Sequence, residues 1–333
     1  MSAKNRFREN MVTPSGSIPY GDSICSDGCV YSLDKFRPRF RLCWGNLVLR
    51  RLGMELDLSD QTVIEFIRDQ VVFPLVDHSI SGYVPRIPII LYSWNYDGYI
   101  VFIEKFTMKQ YPQPFYSLIC EFNPNKSQDD FLFISALISR LKALLGDYFI
   151  WDDTRTDFTF DVPYPISDVR ILSRKAPSSY MGTFFFGKRG ASGYTRIYDK
   201  LLEMKQKHHT DIGADWTRIE YESHSGYPVN YDPPFLLGDL GTHEVLRYVP
   251  MDSWPAALRT FAPKTARRIK RDGLRRIPFD PSQFDILYQR LLDRLELPAP
   301  YNVEYRNREE VEGEMYELER ISAELRRFAK DID

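Results

Sequence analysis

Three stretches of the chain alternate apolar and polar residues with the two-residue period of a half-covered β-strand. Within residues 154–162, Arg155, Asp157, Thr159 and Asp161 fall on one face and Phe158 and Phe160 on the other. Within 194–200, Arg196, Tyr198 and Lys200 oppose Ile197 and Asp199. Within 216–223, Trp216, Arg218, Glu220 and Glu222 oppose Ile219 and Tyr221. Further strands are predicted over 29–49, 87–94, 99–106, 115–122 and 183–186, several of them parted by turn-rich segments such as 95–98 and 111–114. Helical spacing runs over 60–72 and, more strongly, over 129–145, where Phe133, Leu137, Ile138, Leu141, Leu144 and Leu145 recur before Gly146. Beyond about residue 234 the pattern turns helical, over 245–248, 254–261, 263–272 and 284–295, with a long final helix from about 308 to 330. The whole predicts an α+β fold, an antiparallel-type central sheet backed by helices. The expected organisation is a flexible N-terminal arm (1–28), a sheet domain (29–235) and a helical C-terminal region (236–333).

Charge changes this picture more than composition does. The 333 residues are 43% hydrophobic and 27% charged, enough to build a core, and 44 basic against 46 acidic residues leave a net charge of −2. Residues 174–207 nevertheless hold eight Lys/Arg against two acids, and 259–276 hold eight against one, while acids prevail over 301–333. Two dense basic blocks in a neutral chain suit a polyanion, because phosphates are contacted chiefly by Lys and Arg. No run of about 18 apolar residues occurs, so no membrane-crossing helix is expected. The N-terminus reads as polar rather than as an apolar signal core. Four cysteines (Cys25, Cys29, Cys43, Cys120) make no disulfide scaffold, and a reduced, cytoplasmic setting is expected.

The three strands carry the candidate chemistry. If they are neighbours, Asp157, Asp161, Glu220 and Tyr198 converge. Clustered carboxylates suit a hard divalent cation such as Mg²⁺ or Mn²⁺, which can polarise a phosphodiester oxygen. Tyrosine is able to form a covalent enzyme intermediate. Its hydroxyl ionises near pH ~10, so a metal or a flanking cation is needed, and Arg196 and Lys200 stand two residues to either side. Tyr194 shares the face by parity but lacks those flanks, and Glu222 competes with Glu220 on the same argument.

The string Gly182-Thr-Phe-Phe-Phe-Gly-Lys-Arg189, followed by Thr195-Arg-Ile-Tyr-Asp-Lys200, by Trp216-Thr-Arg-Ile-Glu220 and preceded by Thr154-Arg-Thr-Asp-Phe-Thr-Phe-Asp161, resembles the replication initiation factor family. These are the Rep_trans-type rolling-circle initiators of plasmids, phages and conjugative elements. The likeness spans roughly residues 80–225. It implies a site-specific, metal-dependent nickase in which Tyr198 attacks an origin phosphodiester, giving a 5′-phosphotyrosine and a free 3′-hydroxyl. By that resemblance Asp157 and Glu220 are the leading metal ligands, with Asp161 third. It also implies action as a dimer on origin DNA and recruitment of a host helicase. A conjugative relaxase with the same chemistry, or a non-catalytic origin-binding regulator, are the alternatives.

Other motifs carry less. Gly182 to Lys188 spaces like a P-loop, but Thr-Phe-Phe-Phe is bulky strand material and Arg189 stands where Ser or Thr is required. The pair His208-His209 points about 100° apart on a helix and chelates poorly, His224 is a weak candidate neighbour of the site, and Cys25 with Cys29 lacks a second pair for zinc. In the C-terminal region Pro263 suits a helix start. Lys264, Arg267, Lys270 and Arg271 then share one helical face beside Arg268, a candidate DNA-contacting helix. Arg155, Lys188, Arg189 and Arg218 are further candidate phosphate contacts. The final helix carries a seam of Val311, Met315, Leu318, Ile321, Leu325 and Phe328, suited to packing on its own domain or to a short dimer contact.

Overall fold

The alternating segments pair as antiparallel strands in the computed structural model, which describes residues 22–41, 89–95, 98–106, 115–209, 214–224, 229 and 231–301. In chain order the elements are β1 (Ser23–Ser26), β2 (Cys29–Arg41), β3 (Ile89–Asn95), β4 (Tyr99–Phe106), β5 (Phe115–Phe122), α1 (Gln128–Leu145) and β6 (Trp151–Val162). There follow β7 (Val169–Ile171), β8 (Pro177–Tyr180), β9 (Thr183–Phe186), β10 (Tyr194–Asp199), α2 (Lys200–His208), β11 (Thr217–His224) and β12 (Pro234–Leu237). Last come α3 (Trp254–Arg259), α4 (Pro263–Asp272), β13 (Leu274–Arg276) and α5 (Ser282–Arg294). The class is α+β, as the periodicities predict. The helix expected over 60–72, the final helix over 308–330 and Cys43 lie outside the described residues. Among the described residues no helix is long and apolar enough to cross a membrane.

Two compact units divide the chain. One comprises Met1–Lys35, Pro124–Gln128 and Arg155–Glu296; the other comprises Phe36–Asn123, Asp129–Thr154 and Leu297–Asp333. The boundary expected at residue 235 does not coincide with a division between these units. It falls inside β12, which pairs on one side with β7 and on the other with β13. Strand pairing between segments far apart in the chain leaves no periodic mark in a three- or four-residue strand, so the local pattern could not show it. The expected arm also ends early, because residues 23–26 form β1 against β2.

In the first unit the strand order is β6-β11-β10-β9-β8. The odd face of β11 and the even face of β6 are apolar. Tyr31, Phe158, Phe160 and Tyr221 pack there against Phe279 and Phe284, with ring centroids 4.7 Å apart for Tyr31–Phe160 and 5.1 Å for Phe158–Phe284. Each such buried ring contributes about 1.5–3 kcal/mol. The helix α5 supplies Phe284, Leu287 and Leu291 to the interior. On the opposite face α2, N-capped by the Asp199 carboxylate accepting from the Leu202 amide at 2.9 Å, buries Met204 against Val30 and Trp216. The small sheet β13-β12-β7 carries α3 and α4 over a separate cluster of Leu237, Leu240, Leu246, Trp254, Leu258, Ile269 and Leu274.

In the second unit β3, β4 and β5 form a meander whose last strand pairs with the end of β2, Phe36 opposite Phe122. Along α1, Ile134, Leu137, Ile138, Leu141 and Leu145 are buried, whereas the expected Phe133 is 37% exposed.

Candidate active site

Strand register decides which polar residues of the first unit meet. Arg196 stands opposite Glu220, and Glu220 opposite Thr159; Tyr198 stands opposite Arg218, and Arg218 opposite Asp161; Tyr194 stands opposite Glu222, and Glu222 opposite Asp157. Three cross-strand rows thus run over one face of β10, β11 and β6. Most of their members are buried, Asp157, Thr159 and Asp161 completely, whereas Tyr198 and Arg196 are partly open to solvent.

Every acid in these rows has a specific partner. The Tyr198 hydroxyl donates to Glu220 Oε1 at 2.5 Å, and Arg196 Nη2 bonds the other oxygen of the same carboxylate. Arg218 takes both oxygens of Asp161 at 2.8 Å each, and its remaining nitrogen lies 3.5 Å from Asp34 Oδ1 on β2. Arg155 takes both oxygens of Asp157 at 2.7 Å and reaches Glu222 at 2.9 Å, and His224 Nε2 lies 3.0 Å from the second Glu222 oxygen. The Nε of Arg196 is buried and has no hydrogen-bond partner among the described residues.

These surroundings set the protonation states. Burial pushes the Tyr198 phenol far above its usual range, and Glu220, Glu203 and Asp34 push the same way, while Arg218 opposes them. Burial also raises Glu220, with the Asp34 charge adding to it and Arg196 and Arg218 working against it. It raises Asp157 despite the paired Arg155. At Glu222 the bonds from His224 and Arg155 outweigh burial and hold the carboxyl below the usual range. Glu220, not Glu222, is the carboxylate that accepts the hydrogen bond of the Tyr198 phenol.

The sequence-predicted residues fare differently. Tyr198, Arg196 and Glu220 are brought together. Tyr194 is buried, and its ring stacks on Phe185 at 6.0 Å. Lys200 does not continue the strand: β10 ends at Asp199 and Lys200 opens α2. Its ammonium bonds Glu203 at 2.6 Å and stands 5.8 Å from the Tyr198 ring centroid. The predicted trio Asp157, Asp161 and Glu220 does not converge. Among the described residues no three His, Cys, Asp or Glu side chains form a metal-holding group. Both oxygens of Asp157 and of Asp161 are taken by guanidinium groups, so neither fits a metal in this arrangement. Arg218 and Arg155 are correspondingly engaged within the site and, with Arg218 buried, that side chain is not a surface phosphate contact. Lys188, Arg189, Lys264, Arg267, Arg268, Lys270 and Arg271 lie partly or fully open to solvent. Asp34 was missed. Its signal was parity: β2 alternates through Ser32 and Asp34, and Ser32 reaches Thr159 at 2.5 Å.

No family model matches the chain, and none of the curated proteins compared with it does. A solved structure described as a rolling circle replication initiator protein from Geobacillus stearothermophilus is similar over 80% of this chain and 97% of that one, at 14% identity and a TM-score of 0.27. A likeness of that size carries no argument about function.

Proposed function

We propose that this protein is a DNA nicking-closing enzyme of the rolling-circle initiator type, with Tyr198 as nucleophile. The observation that carries the reading is the bond from the Tyr198 hydroxyl to a buried carboxylate, Glu220, that also holds Arg196. A phenol pushed this far up does not ionise unaided, so its proton must leave as it attacks. Glu220, itself raised by burial, takes that proton while the Tyr198 oxygen bonds to phosphorus and the bond to the 3′-oxygen breaks. The departing oxygen is protonated from solvent, leaving a 5′-phosphotyrosine and a 3′-hydroxyl; closing is the reverse. Arg196, two residues away on the same face and partly open to solvent, steers a phosphate. The carboxylates of this face do not fit Mg²⁺ or Mn²⁺ as placed: Tyr198 and Arg196 engage both Glu220 oxygens, and guanidinium groups engage both oxygens of Asp157 and of Asp161.

Origin DNA is the proposed substrate, with exposed α4 supplying backbone contacts. The test is incubation with supercoiled DNA carrying a candidate origin, with Mg²⁺, Mn²⁺ or chelator, followed by denaturing gels for covalent protein–DNA adduct. Wild type should relax the DNA and trap adduct, and Tyr198→Phe should do neither. Equal relaxation by that variant removes Tyr198 from the role. A second reading, a non-catalytic origin-binding regulator, is favoured by the guanidinium pairing of Asp157 and Asp161. It predicts salt-sensitive binding with no scission under any metal.

A further inference from the structure

The hairpin β8–β9 ends in a two-residue turn, Met181-Gly182, closed by the pair Tyr180 opposite Thr183. Both turn residues have positive φ, +46° and +77°. A two-residue turn of this kind normally takes Asn, Asp or Gly at its first position, so Met181 sits in backbone that its side chain disfavours. Tyr180 and Met181 are 71% and 85% exposed, although folding gives a large apolar side chain every reason to turn inward. An exposed aromatic on a rigid hairpin is a candidate for a partner.

Register identifies that partner. Phe185 pairs with Arg196 and Phe184 with Ile197, so the next position sets Thr183 beside Tyr198. Tyr180 pairs with Thr183. Residues directly opposite in antiparallel strands share a face, so Tyr180, Thr183 and Tyr198 form one row on the face that bears Glu220 and Arg196. Two strand spacings, about 10 Å, separate the two tyrosines. The half-buried Phe185, stacked on Tyr194, continues the aromatic surface on the same face. The surrounding residues 174–207 carry eight basic groups against two acids, which suits a phosphate backbone.

We propose that Tyr180 is a base-stacking platform for single-stranded nucleic acid, holding a nucleotide beside the phosphate presented to Tyr198. This deepens the nicking function proposed above and rests on it. The tip binds a flat, unpaired base by its π-face, without base-edge readout, so it favours single strands over duplex and tolerates sequence.

The experiment uses the full chain and a fluorescently labelled single-stranded oligonucleotide of mixed sequence, with a duplex of the same sequence as control. Tyr180→Ala should weaken single-strand binding about fivefold or more. Tyr180→Phe should retain it, and duplex binding should be unchanged in both. On a nicking substrate Tyr180→Ala should raise KM and leave the saturated single-turnover rate near wild type. Single-strand binding by Tyr180→Ala equal to wild type, or an equal loss on single strand and duplex, overturns the platform. Tyr198→Phe, assayed in parallel, should bind the single strand normally; if it still cleaves, Tyr198 is not the nucleophile, while the binding result stands on its own.

Discussion

Replacing Glu220 by Gln separates catalysis from stability. The carboxylate is 1% exposed, accepts from Tyr198 at 2.5 Å and is bonded by Arg196. An amide keeps one acceptor for the phenol but loses the charge-assisted part of both bonds, a cost of about 1–2 kcal/mol. Against this, burial and the Asp34 charge disfavour the ionised carboxylate, and a neutral isostere escapes that penalty, about 1.4 kcal/mol for each unit by which the pKa is raised. The two oppose each other, so Glu220→Gln should cost less folding stability at neutral pH than the charge assistance alone, about 1–2 kcal/mol. The pH dependence has a definite sign. A folded-state pKa above the ordinary 4.5 stabilises the fold fully below 4.5, and that contribution is lost as pH rises through the raised value. One proton makes the slope about 1.4 kcal/mol per pH unit at most, and the variant's curve should be flatter by that segment. Urea unfolding followed by tryptophan fluorescence across this range measures it. Adduct formation in single turnover should fall by about two to four orders of magnitude, the usual worth of a general base. A loss of about 3 kcal/mol or more at neutral pH would instead make Glu220 a structural counter-ion for Arg196, and adduct at the wild-type rate would remove it from the chemistry.

Arg218→Met should cost about 3–5 kcal/mol in chemical unfolding, because it strands the fully buried Asp161 carboxylate, and adding Asp161→Leu should restore most of the loss. Changing Lys264, Arg267, Lys270 and Arg271 together to Gln should flatten the log–log salt dependence of duplex binding by about 0.9 for each phosphate that is no longer neutralised, read by fluorescence anisotropy, without altering the unfolding midpoint. An unchanged salt slope would mean that this face of α4 does not touch DNA.

The site strands were legible because each is long enough to show its period: β6, β10 and β11 keep Phe158, Phe160, Ile197, Ile219 and Tyr221 on one face and the charged residues on the other. A period of two assigns faces but not register, so the sequence could place Tyr198 and Glu220 on one surface without showing that Arg155 and Arg218 would claim Asp157 and Asp161. Lys200 was misassigned because strand parity was carried one residue past Asp199, whose side chain caps a helix instead. The turn at Met181-Gly182 lacked the usual Asn or Gly at its first position, which hid the hairpin tip. Strands β12 and β13 pair across the intervening helices, information no local window holds.

The doorway between those two strands has a wider consequence. Leu237 pairs with Leu274, and the Gly238 amide bonds the Gly273 carbonyl at 2.9 Å, so the chain leaves and re-enters the sheet at adjacent points. Residues 239 to 272, the cationic helix included, start and finish at that closed clasp, and their apolar cluster is shared with Leu237 and Leu274 of the strands. An excursion whose ends already meet can be lengthened, trimmed or exchanged at little entropic cost to its host. Under the proposed nicking function, target preference is free to drift in that segment, while Tyr198 and Glu220 stay where the strands hold them.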